Sequence, residues 1–534
     1  MFLLPESITT GNISMLIPFI LEKVISLYAD KEAVVCGNNR FTYRDFYERV
    51  AGLSNFLNSQ GIRPGDCIAV LHHNSHEFLE AYFASGGIGA ILNPLNIRLS
   101  SKELAVILND SGAKILITSS RFYEIVRELK DLGCGIQKIL CTGDDKKTGP
   151  SDSFVYEEVI KIKYDSMPTV PDLPDTETAH LYYTSGTTGN PKGVMLSHKN
   201  VCTHSLAAIA ELHLTDRDHW IHAAPLFHLA DAWAAFAVTW VGGKHVLVPD
   251  FNPPEVLNLI EKEKITITNM IPTMLNLLVN TEGSESTDFS SLRVILSGGS
   301  PIAPDVVRRI MDVFGCDYIQ TYGMTETCPY LTVSILKETL SNLPPEKQFF
   351  YKARTGRPFL GVLLKVVRDD GTEVEHNDME VGEIIVKGDI VTAGYWNRPL
   401  ETAESIKNGW LYTGDLAVID GEGYVNIVDR KKDMIITGGE NVYSVEVENV
   451  LYSHPAVLEA MVIGVPDPKW GEAVKGVVVL KEGCTAAEEE IIRYCREYIA
   501  AYKTPKSIDF MTELPRTGSG KLYKKALKDF YNKQ

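Results

Sequence analysis

Apolar residues along this chain fall in short runs: "CIAVLHH" (67–73), "AKILIT" (113–118), "KILCT" (138–142), "HVLVP" (245–249) and "RVILSGG" (293–299). Between them lie helical patterns such as "SHEFLEAYFASGGIGA". Short apolar strands alternating with helices predict a largely parallel sheet covered on both faces, an α/β fold. After about residue 355 the texture changes, and "LLKVVRDDGTEV" and "LAVIDGEGYVNIV" each set a DG-containing turn between alternating strands. Two hairpins and a small β-rich subdomain over 355–428 are expected there.

The five consecutive charges from Asp429 to Asp433 do not belong in a core, so they are read as a connector. An ordinary exposed loop is the alternative. Beyond it the pattern predicts a helix (444–452), strands (460–465, 474–480), a helix (486–500), a strand and a terminal helix. The expected division is therefore 1–428, a connector at 429–433, and a smaller α+β domain at 434–534.

One stretch, 223–243, is apolar enough to imitate a membrane span, but it contains His228 and Asp231 and is bracketed by Pro225 and Gly242-Gly243. A buried helix with a working loop in front costs less than exposing those groups to lipid. Trp233, Phe236, Ala237 and Trp240 share one helical face, which reads as core. Asp231 reads as a cap for that helix, with contact to a polar substrate as the sharper alternative.

Length adds a constraint: 534 residues exceed what one core holds, since single cores stop growing near ~250–300 residues. With 45% hydrophobic and 23% charged residues the composition is that of a globular protein. The net charge of -17 argues against a nucleic-acid groove or an anionic membrane as the main partner. Nine scattered cysteines with no CxxC pair fit reduced thiols. The amino terminus lacks a signal-peptide pattern, so a cytoplasmic location is expected.

The densest chemistry lies in "YYTSGTTGNPKGVMLSHKN" (182–200). Successive glycines let main-chain N–H groups converge, and the hydroxyls and Lys192 add donors, so the loop suits a polyphosphate. It is not a Walker loop, because Gly193 rather than Ser or Thr follows Lys192.

This stretch resembles the phosphate-loop signature of the adenylate-forming superfamily of acyl-CoA synthetases, luciferases and peptide-synthetase adenylation domains. "PLFH" (225–228), "SGGSPI" (297–302), "QTYGMTE" (320–326), "GEIIVKG" (382–388), "GWLYTGD" (409–415), "DRKKDMIITGGENVY" (429–443) and "LPRTGSGK" (514–521) match in the family's order. The resemblance implies a large N-terminal domain and a mobile C-terminal one. It also implies a two-step reaction in which a carboxylate displaces pyrophosphate from ATP and a thiol then displaces AMP.

By resemblance, Thr184, Ser185, Gly186, Thr187, Thr188, Gly189 and Lys192 cradle phosphates, and Thr184 and Glu326 hold Mg²⁺. Gly298, Gly299, Ser300, Gln320, Thr321, Tyr322, Gly323, Met324 and Thr325 surround the nucleotide, with Asp415 on the ribose and Arg430 on the ribose or phosphate. Lys521 swings in to neutralise the α-phosphate and the attacking carboxylate, so the implied catalytic set is Lys521, Thr184, Glu326 and His228. His228 is similar to a gating aromatic, and Gly298, Gly323, Met324 and Cys328 complete an apolar acid pocket for a fatty, alicyclic or aromatic monocarboxylate.

Lys432 falls at the implied hinge, and Gly438 and Gly439 at the thiol tunnel. Trp470, Tyr502 and Lys503 offer an aromatic face and a cation for CoA, and no carrier domain follows Lys521. The expected function is an ATP-dependent acid:CoA ligase using Mg²⁺, with a stand-alone carrier-loading enzyme or a luciferase-like oxygenase as alternatives and a homodimer left open. One departure is Ser444, where the family usually has proline after "ENVY".

Overall fold

The computed structural model describes residues 15–143, 150, 153–162, 167–168, 170, 172–184, 191–300, 302–516 and 522–531. Two large sheets organise the first part of the chain. In one, parallel strands Glu32–Cys36, Lys244–Leu247, His219–His222, Ile267–Asn269, Val294–Gly298 and Asp317–Gly323 lie side by side, with antiparallel strands at both flanks. In the other, Ser153–Val155, Lys138–Thr142, Ile115–Ser119, Cys67–Leu71, Ile91–Pro94 and Thr178–Thr184 run parallel, and Lys192–Ser197 returns antiparallel as a hairpin. Cys67–Leu71 is buried at every position, as a strand covered on both faces must be.

The helix Leu229–Val241 packs between the sheets. Trp233 meets Trp220 edge-on at 5.2 Å on one side, while Phe236 meets Tyr82 and His180 on the other. Ala232, Ala234, Ala235 and Val238 are buried as well, so the helix is enclosed all round rather than along the single face expected from Trp233, Phe236, Ala237 and Trp240. None of the described helices is long and apolar enough to cross a membrane.

A third sheet, built from Leu363–Val367, Gly382–Lys387, Trp410–Ile419 and Val425–Arg430 with a short edge strand, forms the β-rich subdomain. The hairpin expected in "LAVIDGEGYVNIV" (416–428) is present. The other is shorter than expected: Arg368 and Thr372 close its turn, but Leu363–Val367 finds its long partner in Gly382–Lys387. The last sheet pairs Val457–Asp467 with Gly471–Leu480, flanked by helices Ser444–Ser453 and Glu488–Tyr498, followed by Lys524–Tyr531. All nine cysteines are free.

The charged run 429–433 is not uniformly exposed. The strand continues through Arg430, Asp429 is only 2% exposed, and only Lys431–Asp433 form a turn. A carboxylate tolerates this burial because donors surround it: Asp429 accepts the Arg430 N–H at 2.7 Å and the Ser444 N–H at 2.5 Å.

Candidate active site

The hairpin Thr178–Thr184/Lys192–Ser197 ends on the pair Thr184 and Lys192, which therefore face each other across the mouth of the phosphate-loop candidate. Ser185, Gly186, Thr187, Thr188 and Gly189 lie outside the described residues. The free edge of Lys192–Ser197 is taken by residues 392–396. Met195 N–H donates to Gly394, Trp396 N–H to Gly193, and the Thr392 hydroxyl to Met195 O at 2.5 Å.

That docking carries Tyr395 into the site. Lys192 Nζ lies 5.3 Å from its ring centroid, and its hydroxyl donates to Glu326 Oε1 at 2.9 Å. Sequence reasoning missed Tyr395; the signal available was an aromatic pair after Gly394 in a segment of irregular pattern. Burial pushes the Glu326 carboxyl above its usual range, and the Tyr395 hydroxyl pulls against that. Asp415 and Arg430 are also near enough to act on the Glu326 charge.

No cluster of three or more His, Cys, Asp or Glu side chains suited to a metal occurs among the described residues. A single buried carboxylate fits Mg²⁺ that arrives with phosphate oxygens, which is how that ion is commonly held, and does not fit a resident ion with an all-protein cage.

On the nucleoside side, the Tyr322 hydroxyl donates to Asp415 Oδ2 at 2.6 Å, and Arg430 Nε lies 3.4 Å from Asp415 Oδ1. Asp415 and Arg430 are register partners on adjacent strands, so sheet pairing itself juxtaposes them. The side chains of Gln320 and Thr321 are bound to backbone: Gln320 Nε2 donates to Ser300 O at 2.9 Å and Thr321 Oγ1 to Ser297 O at 3.1 Å. Both are supports beneath the turn of Gly298, Gly299 and Ser300. Met324 and Thr325 are half-buried at the end of the same strand.

Two glycines are demanded from inside the protein. A Cβ at Gly298 would lie 2.5 Å from Thr321 Oγ1, and one at Gly323 would lie 1.8 Å from Pro329 O. No ligand is needed to explain either.

His228 caps the helix Leu229–Val241, accepting the Ala230 N–H on Nδ1 at 3.3 Å. Asp231 is not the cap. It is fully buried in the first turn, accepting from Trp220 Nε1 at 3.1 Å and His222 Nδ1 at 2.7 Å. His222 Nε2 and His245 Nδ1 continue the chain at 2.9 Å, and His245 Nε2 meets the Thr239 hydroxyl at 2.9 Å. The network anchors the helix to the sheet.

The loop before His228 is fixed by Asn74, whose Nδ2 donates to His222 O and Ala224 O while its Oδ1 accepts the Leu226 N–H at 2.7 Å. In the sequence Asn74 looks like an ordinary turn residue. A small cavity of about 40 Å³ beside His228 is lined by Leu95, Asn96, Leu99, Tyr183 and Phe227. Gly298, Gly323, Met324 and Cys328 do not line it. Cys328 itself is buried, with a left-handed backbone at φ 67°.

The thiol-side candidates are engaged with one another. A Cβ at Gly438 would fall 2.8 Å from the Trp470 ring, so that ring fills the room the sequence assigns to a thiol arm; Gly439 has nothing within 4 Å of such a Cβ. Trp470 is 44% exposed with Lys469 Nζ 4.5 Å from its centroid. Tyr502 is exposed, but Lys503 is bound by both carboxylate oxygens of Glu446 at 2.7 and 2.8 Å.

Lys432 sits exposed in the connector turn, its carbonyl accepting from Lys528. Lys521 lies outside the described residues. Three residues on, Lys524 pairs with Glu448 at 2.8 Å and donates to the Ser444 hydroxyl. Burial opposes the Lys524 charge, but Glu448 and Asp429 outweigh it and hold the ammonium above its ordinary value.

Known proteins share this arrangement of folds and motifs. Residues 21–396 match the AMP-binding enzyme family, and residues 446–521 match the AMP-binding enzyme C-terminal domain. The chain is 39% identical over 495 residues to a feruloyl-CoA synthase of Amycolatopsis sp, covering 92% of this chain and 94% of that one. It is 33% identical over 523 residues to 4-hydroxybutyrate--CoA ligase 2 of Metallosphaera sedula, covering 97% and 94%. Among solved structures, the anthranilate CoA ligase AuaEII in complex with anthranoyl-AMP superposes with a TM-score of 0.88 at 27% identity over 98% of both chains. The chain thus belongs to the AMP-binding enzyme family, in the acyl-CoA synthetase branch of the adenylate-forming superfamily.

Proposed function

We propose that this acid:CoA ligase activates a fatty or aromatic monocarboxylate at the junction of the Thr184/Lys192 hairpin, Glu326 and the Tyr322–Asp415–Arg430 set. The observation that carries the reading is the contiguity of Lys192, Tyr395 and Glu326, three residues remote in sequence and joined by a cation–π contact and a hydrogen bond. ATP and CoA are the co-substrates of this branch.

Hydroxide leaves a carboxylate poorly, so the acid is first joined to AMP. The carboxylate oxygen attacks the α-phosphorus, pyrophosphate departs, and the thiol sulfur then attacks the acyl carbon while AMP leaves. Charge spreads over oxygens in the first step, which calls for positioned donors more than a base. Lys192 and the hydroxyls near it bind the β- and γ-phosphates. Asp415 accepts from the ribose hydroxyls, and Tyr322, held by that same carboxylate, offers its ring to the adenine. Glu326, with its Oε1 fixed by Tyr395, would hold Mg²⁺ together with Thr184, and the ion would supply countercharge to the phosphates.

Lys521 is the proposed transition-state cation. Support comes from Lys524, which is tied through Ser444 to Asp429, the neighbour of Arg430 in the strand that pairs with Asp415. The tail is thereby fastened on the ribose side. The proposed division into 1–428, 429–433 and 434–534, with Lys432 as the pivot, rests on the connector turn and on the two family matches falling on either side of it. A cytoplasmic location is part of the same reading, in keeping with the nine free thiols.

A panel of fatty, alicyclic and aromatic acids assayed for CoA-dependent AMP release tests the reading. Release with at least one acid is expected. Acid-dependent pyrophosphate exchange without AMP release on adding CoA would instead point to carrier loading.

A further inference from the structure

The helix Ser101–Ser111 carries Asp110 in its last turn, a poor place for a carboxylate, because the helix macrodipole is negative at that end. The surroundings of Asp110 offset that cost. Tyr183 donates its hydroxyl to Asp110 Oδ2 at 2.7 Å, and Arg398 Nη2 donates to Oδ1 at 2.9 Å. Trp396 Nε1 donates to the Asp110 carbonyl at 3.1 Å, one of the last-turn carbonyls for which a helix has no partner of its own. The Asp110 side chain is 17% exposed and that of Arg398 30%, so the ion pair is partly shielded from water.

All three donors come from the two segments that build the proposed site. Tyr183 precedes Thr184 on the first strand of the phosphate hairpin and is the register partner of Gly193, which follows Lys192 on the second. A Cβ at Gly193 would fall 3.0 Å from the Tyr183 ring and 2.9 Å from the Leu181 side chain, so the glycine lets that ring lie across the hairpin and reach Asp110. Trp396 and Arg398 follow Tyr395 in the segment docked on the other strand of the hairpin, where the Trp396 N–H is bound to Gly193 O at 2.8 Å. One carboxylate, remote in sequence from both, thereby ties the strand that ends in Thr184 to the segment that delivers Tyr395 to Glu326 and Lys192.

We propose that Asp110 is a positioning residue for adenylate formation: by holding Tyr183, Trp396 and Arg398 together it seats the segment 392–398 on the phosphate hairpin, so that Tyr395 meets Glu326 and Lys192. The inference rests on the ligase reading above and adds to it a residue that acts through others. Without the carboxylate, a guanidinium and a phenol lose their acceptor, and the segment is released at the end next to Tyr395. A catalytic group displaced by about 1 Å can slow a reaction about a hundredfold, so a residue that only sets such a position still carries a large effect.

The test is a double-mutant cycle in the full chain, read as acid-dependent pyrophosphate exchange, with Asp110→Ala and Tyr395→Ala as the single changes. Asp110→Ala is expected to lower kcat for exchange roughly tenfold to a hundredfold, with the KM for the acid unchanged and thioester formation from supplied acyl-adenylate spared. Because Asp110 acts through Tyr395, adding Asp110→Ala to Tyr395→Ala is expected to cost no more than about twofold further, whereas independent effects would multiply. Arg398→Gln should reproduce part of the loss, and Arg398→Lys, which keeps a cation for the carboxylate, should restore most of it. Thermal unfolding shows which variants are folded, and if Asp110→Ala is not, Arg398→Gln takes its place in the cycle. Losses that multiply in the double variant would overturn the proposal, and so would equal loss of both half-reactions or a folded variant that is less stable yet exchanges at the full rate. Exchange with no acid at all in the unmodified enzyme would instead strike the ligase reading itself.

Discussion

Tyr322 and Trp470 are both aromatic side chains that the sequence assigns to a ligand, and the structure treats them in opposite ways. Tyr322 is held by its hydroxyl, which donates to Asp415, and its support comes from a strand of another sheet. Trp470 lies on Gly438, receives that residue's N–H on its own carbonyl at 2.8 Å, and carries Lys469 above its ring. The proposed nucleotide side is thus cross-braced between distant segments, as Lys192, Tyr395 and Glu326 also show. The thiol side is closed on itself, with Lys503 on Glu446 and Trp470 in the space above Gly438. A brace between sheets costs nothing further when ATP binds, whereas a thiol arm has to displace contacts already made.

The two regions also differ in histidine. Residues 434–534 contain one, His454, while the large domain buries several. Burial pushes His180 and His204 down to about 3 and His72 and His198 down to about 4. Below the unfolded value near 6.5, the unfolded chain binds protons that the folded chain refuses. Each such histidine therefore withdraws about 1.4 kcal/mol of stability per pH unit of acidification until its folded value is reached. With four acting together this is the largest effect expected. Segment-resolved hydrogen exchange from pH 7 to 5 should show the large domain losing protection first, and simultaneous loss in both halves would break the contrast.

Next in size is Lys521→Ala. Removing a cation that acts mainly in the transition state should cost ~3–4 kcal/mol, about 10²–10³ in pyrophosphate exchange. Thioester formation from supplied acyl-adenylate should be largely kept, and equal loss of both half-reactions would remove Lys521 from the adenylating role. Tyr395→Phe takes a donor from a buried carboxylate, so adenylation should fall by roughly tenfold to a hundredfold with the thiol step spared. If CoA kinetics suffer instead, the brace belongs to the other region. The smallest effect is Trp470→Ala, for which the KM for CoA should rise about 2- to 5-fold while exchange stays level.

Much of this was legible beforehand, because the α/β texture, the terminal domain's element order and the motif residues all depend on local pattern. Other features were not. Asp429 looked like exposed connector, since a charged run gives no sign that Ser444 and Arg430 will each lend an N–H; proline at 444 has no N–H to offer, so the serine has a consequence that reading the turn alone does not show. Asp231 passed for a cap because capping is judged from neighbours in sequence, while its partners His222 and Trp220 come from an adjacent strand. Gln320 and Thr321 sit inside the "QTYGMTE" motif, yet their side chains bond the Ser300 and Ser297 carbonyls, partners on a neighbouring segment that the motif does not show.

By itself the sequence determined which segments become strands and helices and which family the motifs belong to, since periodicity and motif spacing are properties of the chain. Only tertiary structure decided that Tyr395 completes the Lys192–Glu326 contact, that Gly298 and Gly323 answer to Thr321 and Pro329, and that Asp110 gathers Tyr183, Trp396 and Arg398. Those outcomes depend on which distant atoms come within a few ångströms, and a pattern of residue types carries no record of that.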